Sequence, residues 1–425
     1  MLKVVCFGPG PKFKGGLSNY NTSLAKAFDQ VEGVEVHIVS WTQQYPAIIP
    51  REFVDKSSST DFMEGTNIKV KYITNYNNPA TWAQTVRYIR DLSPDIVVFQ
   101  WAIAIQGIPL GWIARRLKKN PGIDVIFDLH FVKQKEGSKL DGIFTKYGIS
   151  PVKTYIAHAF KTVDELRETF PSRLFEVTED GDRSLGEDTV IKLFHPIYDL
   201  FQPDPDFDIQ GFKKQLGLRE KVFLFFGFIR KYKGLHHVIE AFAPIAKERD
   251  DVSLMICGES FWNTLPKNNF ATKLKQWTFG LAKSLFLKKS DDERDYRPLE
   301  LIDQLGIRDK VVVKNEFIPN EDVHKYFQVS DAVVLYYSYA TPSGIESLSY
   351  NFKLPILATK VGHFQETVED GFNGYLAEAG DVNSMTEQMR RYLDHPLPPE
   401  NVSEAAGEMT WEVYVRTILK AYLPE

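Results

Sequence analysis

Short apolar runs alternate with amphipathic stretches along most of the chain. The runs are continuously apolar, which is typical of strands buried on both faces of a parallel sheet. In the first half the predicted strands are Leu2–Phe7, Val34–Ser40, Ile68–Ile73, Asp95–Phe99, Ile123–Phe127 and Thr154–Ala157. In the second half they are Val222–Phe226, Val252–Cys257, Val311–Val313, Ala332–Tyr336 and Pro355–Ala358.

The stretches between these runs have helical spacing. After one strand and a glycine turn, a single helical face carries Leu235, Val238, Ile239, Phe242 and Ile245. Repetition of strand and helix predicts a doubly wound α/β fold with parallel sheets. At 425 residues the chain is too long for one ordinary core, so we expect more than one domain.

A polar, proline-containing stretch divides this pattern into two halves. The break lies near His195–Pro196, and the FQPDPDFDIQG segment that follows disfavours regular structure. We therefore predict an N-terminal domain at residues 1–197 and a C-terminal domain at residues 198–407. Each half restarts with a strand, a glycine turn and a helix, and two such sheets facing one another leave a ligand-binding cleft.

Composition and charge narrow the class of protein. The 51 Lys and Arg residues against 56 Asp and Glu residues give a net charge of −5, so no overall basic field attracts nucleic acid. The start of the sequence predicts a strand and a turn rather than a signal peptide, and no run reaches the roughly 18 apolar residues of a membrane-spanning helix. Cys6 and Cys257 fall in buried strands, so we expect reduced thiols and a cytoplasmic protein.

Five segments, in this order, resemble one protein family. They are GPGPKFKGGLSNYNTSLAKAF, IFDLHFVKQKE, LFHPIYDLF, FFGFIRKYKGLHHVIEAF and SDAVVLYYSYATPSGIESLSYNFKLPILATKVGHFQETVEDGFNGYL. Over nearly its whole length the chain is similar to the family 4 retaining glycosyltransferases of the GT-B fold, in which two Rossmann-like domains face each other across a cleft. The ending TWEVYVRTILKAY resembles the family's C-terminal helix, so residues 408–425 are expected to cross back onto the N-terminal domain.

The resemblance implies a nucleotide-diphosphate-sugar donor, and two glycine-containing segments are predicted to bind it. Gly15 and Gly16 precede a helix, where glycine lets the backbone approach a ligand and the helix start favours an anion. Thr341, Ser343 and Gly344 open a later helix and offer hydroxyls and amides to a diphosphate. Both segments also fit an ordinary turn or helix cap, so a purely local role is the alternative.

Two cations and one histidine are predicted to act on the reacting bond. Arg230 and Lys233 follow a strand end, where cations stabilise the charge that a departing diphosphate gains. A solvated basic turn is the alternative, and it suits Lys231. The resemblance places His130, in IFDLH, beside the donor sugar near its reacting carbon, with a structural histidine as the alternative.

The chain departs from the family at one signature. The usual pattern is Glu, seven residues and Glu, and these two positions hold Ala340 and Leu348 here. The ATPSG segment resembles a recurrent Thr-x-Ser-Gly variant, so we expect the phosphate cradle to be intact while the carboxylate contacts to sugar and ribose are in doubt. Glu346 lies nearby and either replaces those contacts or is a surface residue of its helix.

No metal site and no further cofactor are predicted. The histidines lack zinc-ligand spacing, and no DxD motif follows a strand to hold Mg²⁺ for a nucleotide-sugar. We therefore expect metal-independent transfer, with the nucleotide-diphosphate sugar as co-substrate.

A basic amphipathic stretch at residues 268–289 predicts a second kind of contact. Its apolar residues follow helical spacing among five lysines, which is typical of a helix lying on a membrane surface. The alternative is a helix packed on its own domain with lysine side chains reaching into water.

Together these features predict a hexosyl- or glycosyltransferase. The acceptor is expected to be a glycan or a lipid-linked sugar, in bacterial envelope or exopolysaccharide synthesis at the inner face of the membrane. The main alternative, motivated by the missing Glu pair, is an inactive GT-B scaffold that binds a nucleotide or a sugar. A sugar-nucleotide epimerase of the same fold is a second alternative, and the TPSG and FIRKYKG segments argue against it.

Overall fold

The computed structural model describes residues 1–45, 53–133, 139–260, 296–342 and 344–422. These residues form two α/β domains, each built on a parallel sheet with helices on both faces. The central strands are buried along most or all of their length, as the apolar runs predicted, because helices cover both sides of each sheet.

The first sheet has eight strands in the order β3-β2-β1-β4-β5-β6-β8-β7. All of its pairings are parallel, and the strand order reverses between the neighbours β1 and β4. The strands are β1 Leu2–Phe7, β2 Val34–Gln43, β3 Lys69–Asn75, β4 Ile96–Trp101, β5 Asp124–Leu129, β6 Thr154–Ala157, β7 Glu176–Thr178 and β8 Thr189–Lys192.

The second sheet has six strands in the order β11-β10-β9-β12-β13-β14, again all parallel. The order reverses between β9 and β12, which is the switch point where doubly wound sheets bind ligands. The strands are β9 Lys221–Phe226, β10 Val252–Cys257, β11 Val311–Lys314, β12 Ala332–Leu335, β13 Ile356–Thr359 and β14 Gly374–Ala377.

The helices cover the two sheets and connect the domains. The α-helices are Gly16–Asp29, Pro79–Leu92, Gly107–Leu117, Lys139–Ile149, Phe160–Thr169, Ile209–Leu216, Leu235–Glu248, Leu301–Gln304, Val323–Gln328, Gly344–Asn351, Phe364–Thr367, Val382–Asp394, Pro399–Ala405 and Trp411–Leu419. Short 3₁₀ turns occur at Ala104–Gln106, Lys231–Lys233, Pro298–Glu300, Arg308–Lys310 and Asn320–Asp322. No helix in these described ranges is long and apolar enough to cross a membrane.

The predicted fold class is confirmed, and every predicted strand is present to within a few residues. Three strands were not predicted: β7, β8 and β14. Each has only three or four residues, and the preceding segments are rich in polar and turn-forming residues. Pairing with a neighbouring strand therefore decides these elements more than their own sequence does.

The last described helix, Trp411–Leu419, lies against the first helix of the chain, Gly16–Asp29. The hydroxyls of Tyr20 and Tyr414 form a 2.7 Å hydrogen bond, and the Trp411 ring centroid lies 5.1 Å from that of Tyr20. These side chains belong to an apolar core that continues from one domain into the other. The two domains are therefore joined below the cleft by packing as well as by the chain.

Candidate functional site

A cavity of about 300 Å³ lies between the two domains, at the carboxyl ends of their central strands. The turn after β1 and the start of helix Gly16–Asp29 form one wall. The opposite wall comes from the turns after β9, β10, β11 and β12. Its lining includes Lys14, Gly15, Gly16, Asp55, Tyr198, Gly227, Lys233, Glu259, Glu316, Phe317, Thr341, Gly344 and Leu348.

Gly15 and Gly16 form the wall contributed by the first domain. Gly15 has a φ of 102°, a region that side chains disfavour, and a Cβ built there meets no atom within 4 Å. The backbone at this turn is thus open to a ligand, and helix Gly16–Asp29 begins there with its free amide groups. The structure places both predicted glycines on the cavity.

Thr341 and Gly344 lie on the opposite wall, where helix Gly344–Asn351 begins. Ser343, the third predicted residue of this segment, lies outside the described residues. A Cβ built at Gly344 would lie 2.6 Å from Cε2 of Tyr198, so only glycine fits between this helix start and the tyrosine ring. Two helix N-termini, one from each domain, thus border the same space.

Lys233 is the buried cation of the cavity, with a side chain that the 3₁₀ turn Lys231–Lys233 directs inward. A Cβ at Gly227 would lie 3.1 Å from the Lys233 Nζ, so the glycine after β9 makes room for the ammonium group. Burial, with the charge of Arg230 adding to it, lowers the pKa of Lys233 to about 8. Among the described residues, no carboxylate lies within salt-bridge distance of Lys233.

Arg230, the other predicted cation, does not line the cavity. It is half-buried at the start of the same 3₁₀ turn, and its guanidinium lies 5.9 Å from the ring centroid of Tyr232. Its positive charge contributes to the lowered pKa of Lys233. Lys14 is a cation on the cavity wall that the sequence analysis did not select, and its Nζ lies 4.5 Å from the Phe317 ring across the cleft.

His130 follows β5 and lies beside the cleft floor rather than on the cavity lining. Its Nε2 lies 2.8 Å from Oε1 of Gln100, while Nε2 of Gln100 donates to Oδ2 of Asp128 at 3.3 Å. Since the Gln100 oxygen must accept, the Nε2 of His130 carries the proton. Burial lowers the pKa of His130 to about 4, so the ring is neutral with Nδ1 unprotonated near neutral pH.

Asp128 is a fully buried carboxylate under this histidine. It accepts hydrogen bonds from Tyr20 at 2.8 Å and Tyr414 at 3.2 Å, and it pairs with Nε2 of His158 at 2.8 Å. Burial alone would raise its pKa, but the neighbouring rings and donors lower it to about 2. The carboxylate therefore holds residues of β5, of β6 and of both terminal helices in one network.

In the described part of the chain, side chains that could bind a metal ion come together at Asp128 and the neighbouring histidines. Ligand atoms of Asp128, His130 and His158 all lie within 4.8 Å of one another. Both oxygens of Asp128 are already engaged by protein donors, however. These residues therefore fit a hydrogen-bond network that orients His130 better than an open metal site.

Glu346 is not brought to the cavity. Its carboxylate is buried, and it accepts hydrogen bonds from Thr367 and pairs with Nε2 of His363. The two positions of the usual Glu pair are apolar and buried, and Leu348 lies on the cavity lining. Among the described residues, the carboxylates that line the cavity are Asp55, Glu259 and Glu316, which come from other segments.

Tyr198 is another site residue that the sequence analysis missed. It lies in the connection between the domains, lines the cavity and donates a 2.8 Å hydrogen bond to the carbonyl oxygen of Gly16. The LFHPIYDLF segment contained it, but no local pattern indicated that its side chain reaches both helix starts. For Asp128 a signal existed, because a carboxylate inside an apolar strand is costly unless paired.

Hydrogen bonds also close the cleft at its mouth. Ser59 donates to the carboxylate of Glu321 through its amide at 3.1 Å and its hydroxyl at 3.0 Å. The amide of Asn320 donates to Ser58 Oγ at 2.9 Å. The loop after Phe53 therefore contacts the second domain across the cleft.

Comparison with known proteins finds a family model and relatives that this chain resembles. Residues 206–409 match the family model described as glycosyl transferases group 1. The chain is 21% identical over 319 residues to spore coat protein SA of Bacillus subtilis, covering 73% of this chain and 75% of that protein. It is 24% identical over 210 residues to N-acetyl-alpha-D-glucosaminyl L-malate synthase of Bacillus anthracis, covering 49% of this chain and 45% of that protein.

Solved structures share the fold. The Anabaena Alr3699/HepE structure in complex with UDP-glucose superimposes with a TM-score of 0.65 at 15% identity, covering 99% of both chains. Sucrose-phosphate synthase from Thermosynechococcus elongatus superimposes with a TM-score of 0.62 at 15% identity, covering 99% of this chain and 98% of that one. The two-domain cleft described above is thus the arrangement of GT-B proteins.

Proposed function

We propose that this chain, which has the GT-B fold and whose residues 206–409 match the model of glycosyl transferases group 1, is a family 4 retaining glycosyltransferase that uses a nucleotide-diphosphate sugar. The observation that carries the proposal is the convergence of buried Lys233 and two helix N-termini on one interdomain cavity. A diphosphate is the ligand that fits such a cluster of positive potential. UDP-sugars are the first donors to test, since Alr3699/HepE binds UDP-glucose.

The cavity offers different chemistry to the two ends of such a donor. The ammonium of Lys233, supported by Arg230 and by the amides at Gly344, meets the diphosphate as it gains charge. The carboxylates of Glu259 and Glu316 suit sugar and ribose hydroxyls, which usually donate to carboxylates. We propose that they take over the contacts that Leu348 can no longer make.

His130 is proposed to contact the donor sugar. Because its Nε2 proton is committed to Gln100, Nδ1 remains as an acceptor for a sugar hydroxyl beside the reacting carbon. A neutral ring also avoids a full positive charge next to the developing oxocarbenium. Gln100 and Asp128 then act as positioning residues for the histidine.

The proposed reaction conserves every atom of the donor and acceptor. The bond between the anomeric carbon and the diphosphate oxygen breaks, and the acceptor oxygen bonds the same carbon from the same face. The acceptor's proton passes to the departing diphosphate oxygen, so no separate general base is required. Closure through Ser59 and Glu321 limits attack by water.

The acceptor and setting are proposed from resemblance. A glycan or lipid-linked sugar of the bacterial envelope or of an exopolysaccharide agrees with the family and with a relative named for the spore coat. We propose that the charge on the leaving group is met by Lys233 and amide groups, without a divalent cation. Work at the inner face of the membrane follows from such an acceptor.

A donor screen tests the proposal directly. Purified protein is titrated with UDP-, GDP- and ADP-sugars, and slow donor hydrolysis is followed with and without EDTA. We expect micromolar binding of one donor class, hydrolysis that EDTA leaves unchanged, and a strong reduction of both in Lys233→Ala. Lys231→Ala is the matched control, because Lys231 is an exposed lysine of the same turn.

Two other outcomes contradict the proposal in different ways. Tight donor binding without any turnover, even with glycan and lipid acceptors supplied, identifies a binding scaffold in which the apolar Ala340 and Leu348 have replaced the Glu pair. Absence of binding to every nucleotide rejects the assignment of the cavity itself.

A further inference from the structure

Two neighbouring helices of the first domain expose large apolar side chains to water. Helix Lys139–Ile149 carries Leu140, Ile143 and Tyr147, which are 43%, 61% and 37% exposed, and Ile108 of helix Gly107–Leu117 is 39% exposed. Leu140, Ile143 and Tyr147 are spaced so that they share one helical face. We call these four residues the helix-pair surface. A cluster of apolar side chains on a water-exposed surface marks an interaction site more often than isolated exposed residues do.

The two helices that carry the helix-pair surface pack tightly against each other. A Cβ built at Gly107 would lie 2.2 Å from the carbonyl oxygen of Phe144, and one at Gly148 would lie 2.8 Å from the Cα of Gly107. The two helices thus touch backbone to backbone. Arg115 adds hydrogen bonds to the Tyr147 carbonyl at 2.9 Å and to Ser150 Oγ at 2.8 Å. The exposed side chains are therefore held outward rather than able to fold back into the core.

The surroundings of this surface are strongly basic. Residues 107–119 and 139–153 together contain seven Lys and Arg residues and one acidic residue, in a chain whose net charge is −5. Lys118, Lys119, Lys146 and Lys153 are exposed. The guanidinium of Arg115 lies 3.9 Å from the ring centroid of Tyr147, so basic and apolar groups are interleaved. A partner that complements both the apolar and the basic side chains must be apolar inside and anionic at its surface.

We infer that the helix-pair surface docks the protein onto an anionic lipid bilayer. The apolar side chains enter the region between headgroups and acyl chains while the lysines and arginines meet anionic headgroups. Both helices start after the carboxyl ends of β4 and β5, the edge of the sheet that faces the cleft. Docking here brings the cleft close to the membrane surface, where a lipid-linked acceptor lies.

This surface differs from the one predicted at residues 268–289, which lies outside the described residues. It also stands apart from the proposed reaction, because none of its residues lines the interdomain cavity. Membrane docking and donor binding can therefore fail separately. A protein that binds vesicles but no nucleotide contradicts only the proposed function.

Co-sedimentation with vesicles tests the inference. The full chain is mixed with vesicles of phosphatidylcholine alone or with 30 mol% phosphatidylglycerol, a composition of about one anionic lipid in three, which attracts basic surfaces. We expect binding to the anionic vesicles that weakens at high salt. The double variants Leu140→Ser/Ile143→Ser and Lys118→Glu/Lys119→Glu should each reduce the partition coefficient roughly tenfold or more.

Matched controls separate this surface from general effects. Leu174 and Leu185 are 92% and 50% exposed elsewhere in the first domain, so Leu174→Ser/Leu185→Ser removes equivalent side chains. Lys214→Glu/Arg219→Glu reverses two exposed charges of the second domain. Both controls should bind vesicles like the wild type, and all variants should keep the wild-type thermal unfolding transition.

Four results would overturn the inference. The first is no binding of the wild type to anionic vesicles, and the second is an equal loss in the control variants. The third is a wild-type dimer in light scattering that Leu140→Ser/Ile143→Ser converts to a monomer, since the surface is then a subunit interface. If Lys283→Glu/Lys288→Glu abolishes binding while the helix-pair variants retain it, the contact belongs to residues 268–289 instead.

Discussion

The hydroxyl of Tyr198 donates a 2.8 Å hydrogen bond to the carbonyl oxygen of Gly16. Tyr198 belongs to the connection between the domains, whereas Gly16 begins the first helix. Burial raises the pKa of the phenol, which therefore stays a donor at every physiological pH. The ring also lies against Gly344, so one side chain sets the distance between the two helix starts that border the cavity.

The first prediction concerns the contact between Gly344 and the Tyr198 ring. In Gly344→Ala the new methyl group would lie 2.6 Å from Cε2 of the ring, so the helix start or the tyrosine must move. We expect donor affinity, measured by calorimetry, to fall about tenfold, in line with the roughly 1–3 kcal/mol cost of overpacking.

A double-mutant cycle distinguishes this contact from a general effect of alanine. Tyr198→Ala removes the ring, so adding Gly344→Ala to it should cost little further affinity. Gly122→Ala is the control, because Gly122, like Gly344, has no positive φ, and no atom lies within 4 Å of a Cβ built there. Additive losses in the double variant would show that the two residues act independently.

The second prediction is a pH dependence set by Lys233. Burial holds its pKa near 8, and a bound diphosphate raises that pKa because it favours the ammonium form. Donor affinity should therefore be complete below pH 8 and decrease as the pH rises, by up to about tenfold per pH unit until the pKa of the complex is passed.

Variants of the same turn check the source of this dependence. Lys233→Ala should bind the donor weakly and without any pH dependence between pH 7.5 and about 9.5. Lys231→Ala should behave like the wild type, since Lys231 is exposed. A wild-type affinity that stays constant across this range would mean that Lys233 does not contact the diphosphate.

The third prediction concerns the buried carboxylate of Asp128. Asp128→Asn leaves His158 and two tyrosine hydroxyls without their charged partner. We expect the free energy of unfolding at pH 7 to fall by about 3 kcal/mol, as when one partner of a buried pair is removed. Urea unfolding measures it, with Asp206→Asn, an exposed aspartate, as the neutral control.

The pH dependence of this loss has a definite sign. The pKa of Asp128 is lowered to about 2 in the folded protein, below its value of about 4 in the unfolded chain. The carboxylate therefore stabilises the protein above pH 4, and that contribution disappears as the pH falls towards 2. The difference between the wild type and Asp128→Asn should be constant from pH 6 to about 8 and shrink below about pH 4.

The fourth prediction separates structure from ligand binding at Glu346. Its carboxylate is held by His363 and Thr367, away from the cavity. Glu346→Ala should lower the free energy of unfolding by about 2–3 kcal/mol, because buried donors lose their acceptor, while donor affinity changes less than about twofold. Glu369→Ala, at an exposed position, is the control. Lost donor binding in a stably folded Glu346→Ala would show that this carboxylate reaches the ligand.

Local sequence predicted the elements and the backbone of the site. The apolar runs located the central strands because burial on both faces of a parallel sheet demands continuous hydrophobicity. The glycines at positions 15, 16 and 344 mark turns at helix starts, and the structure places all three on the cavity. Lys233 was also selected from its position after a strand, and its side chain does enter the cavity.

Contacts between segments that lie far apart along the chain could not be predicted from the sequence alone. Tyr20, Asp128 and Tyr414 meet in one hydrogen-bond network although they lie 108 and 286 residues apart along the chain. Glu346 illustrates the same point, because whether it faced the cleft or the interior depended on the partners His363 and Thr367 supply.

The sequence by itself determined that this protein has two doubly wound domains and which loops follow their strands, because periodicity and glycine placement act over a few residues. Only the tertiary structure decided that Tyr198 bridges Gly16 and Gly344, that Lys233 is buried, and that Glu346 is engaged elsewhere. These properties depend on how the two domains pack, and the packing brings together side chains that no local pattern relates.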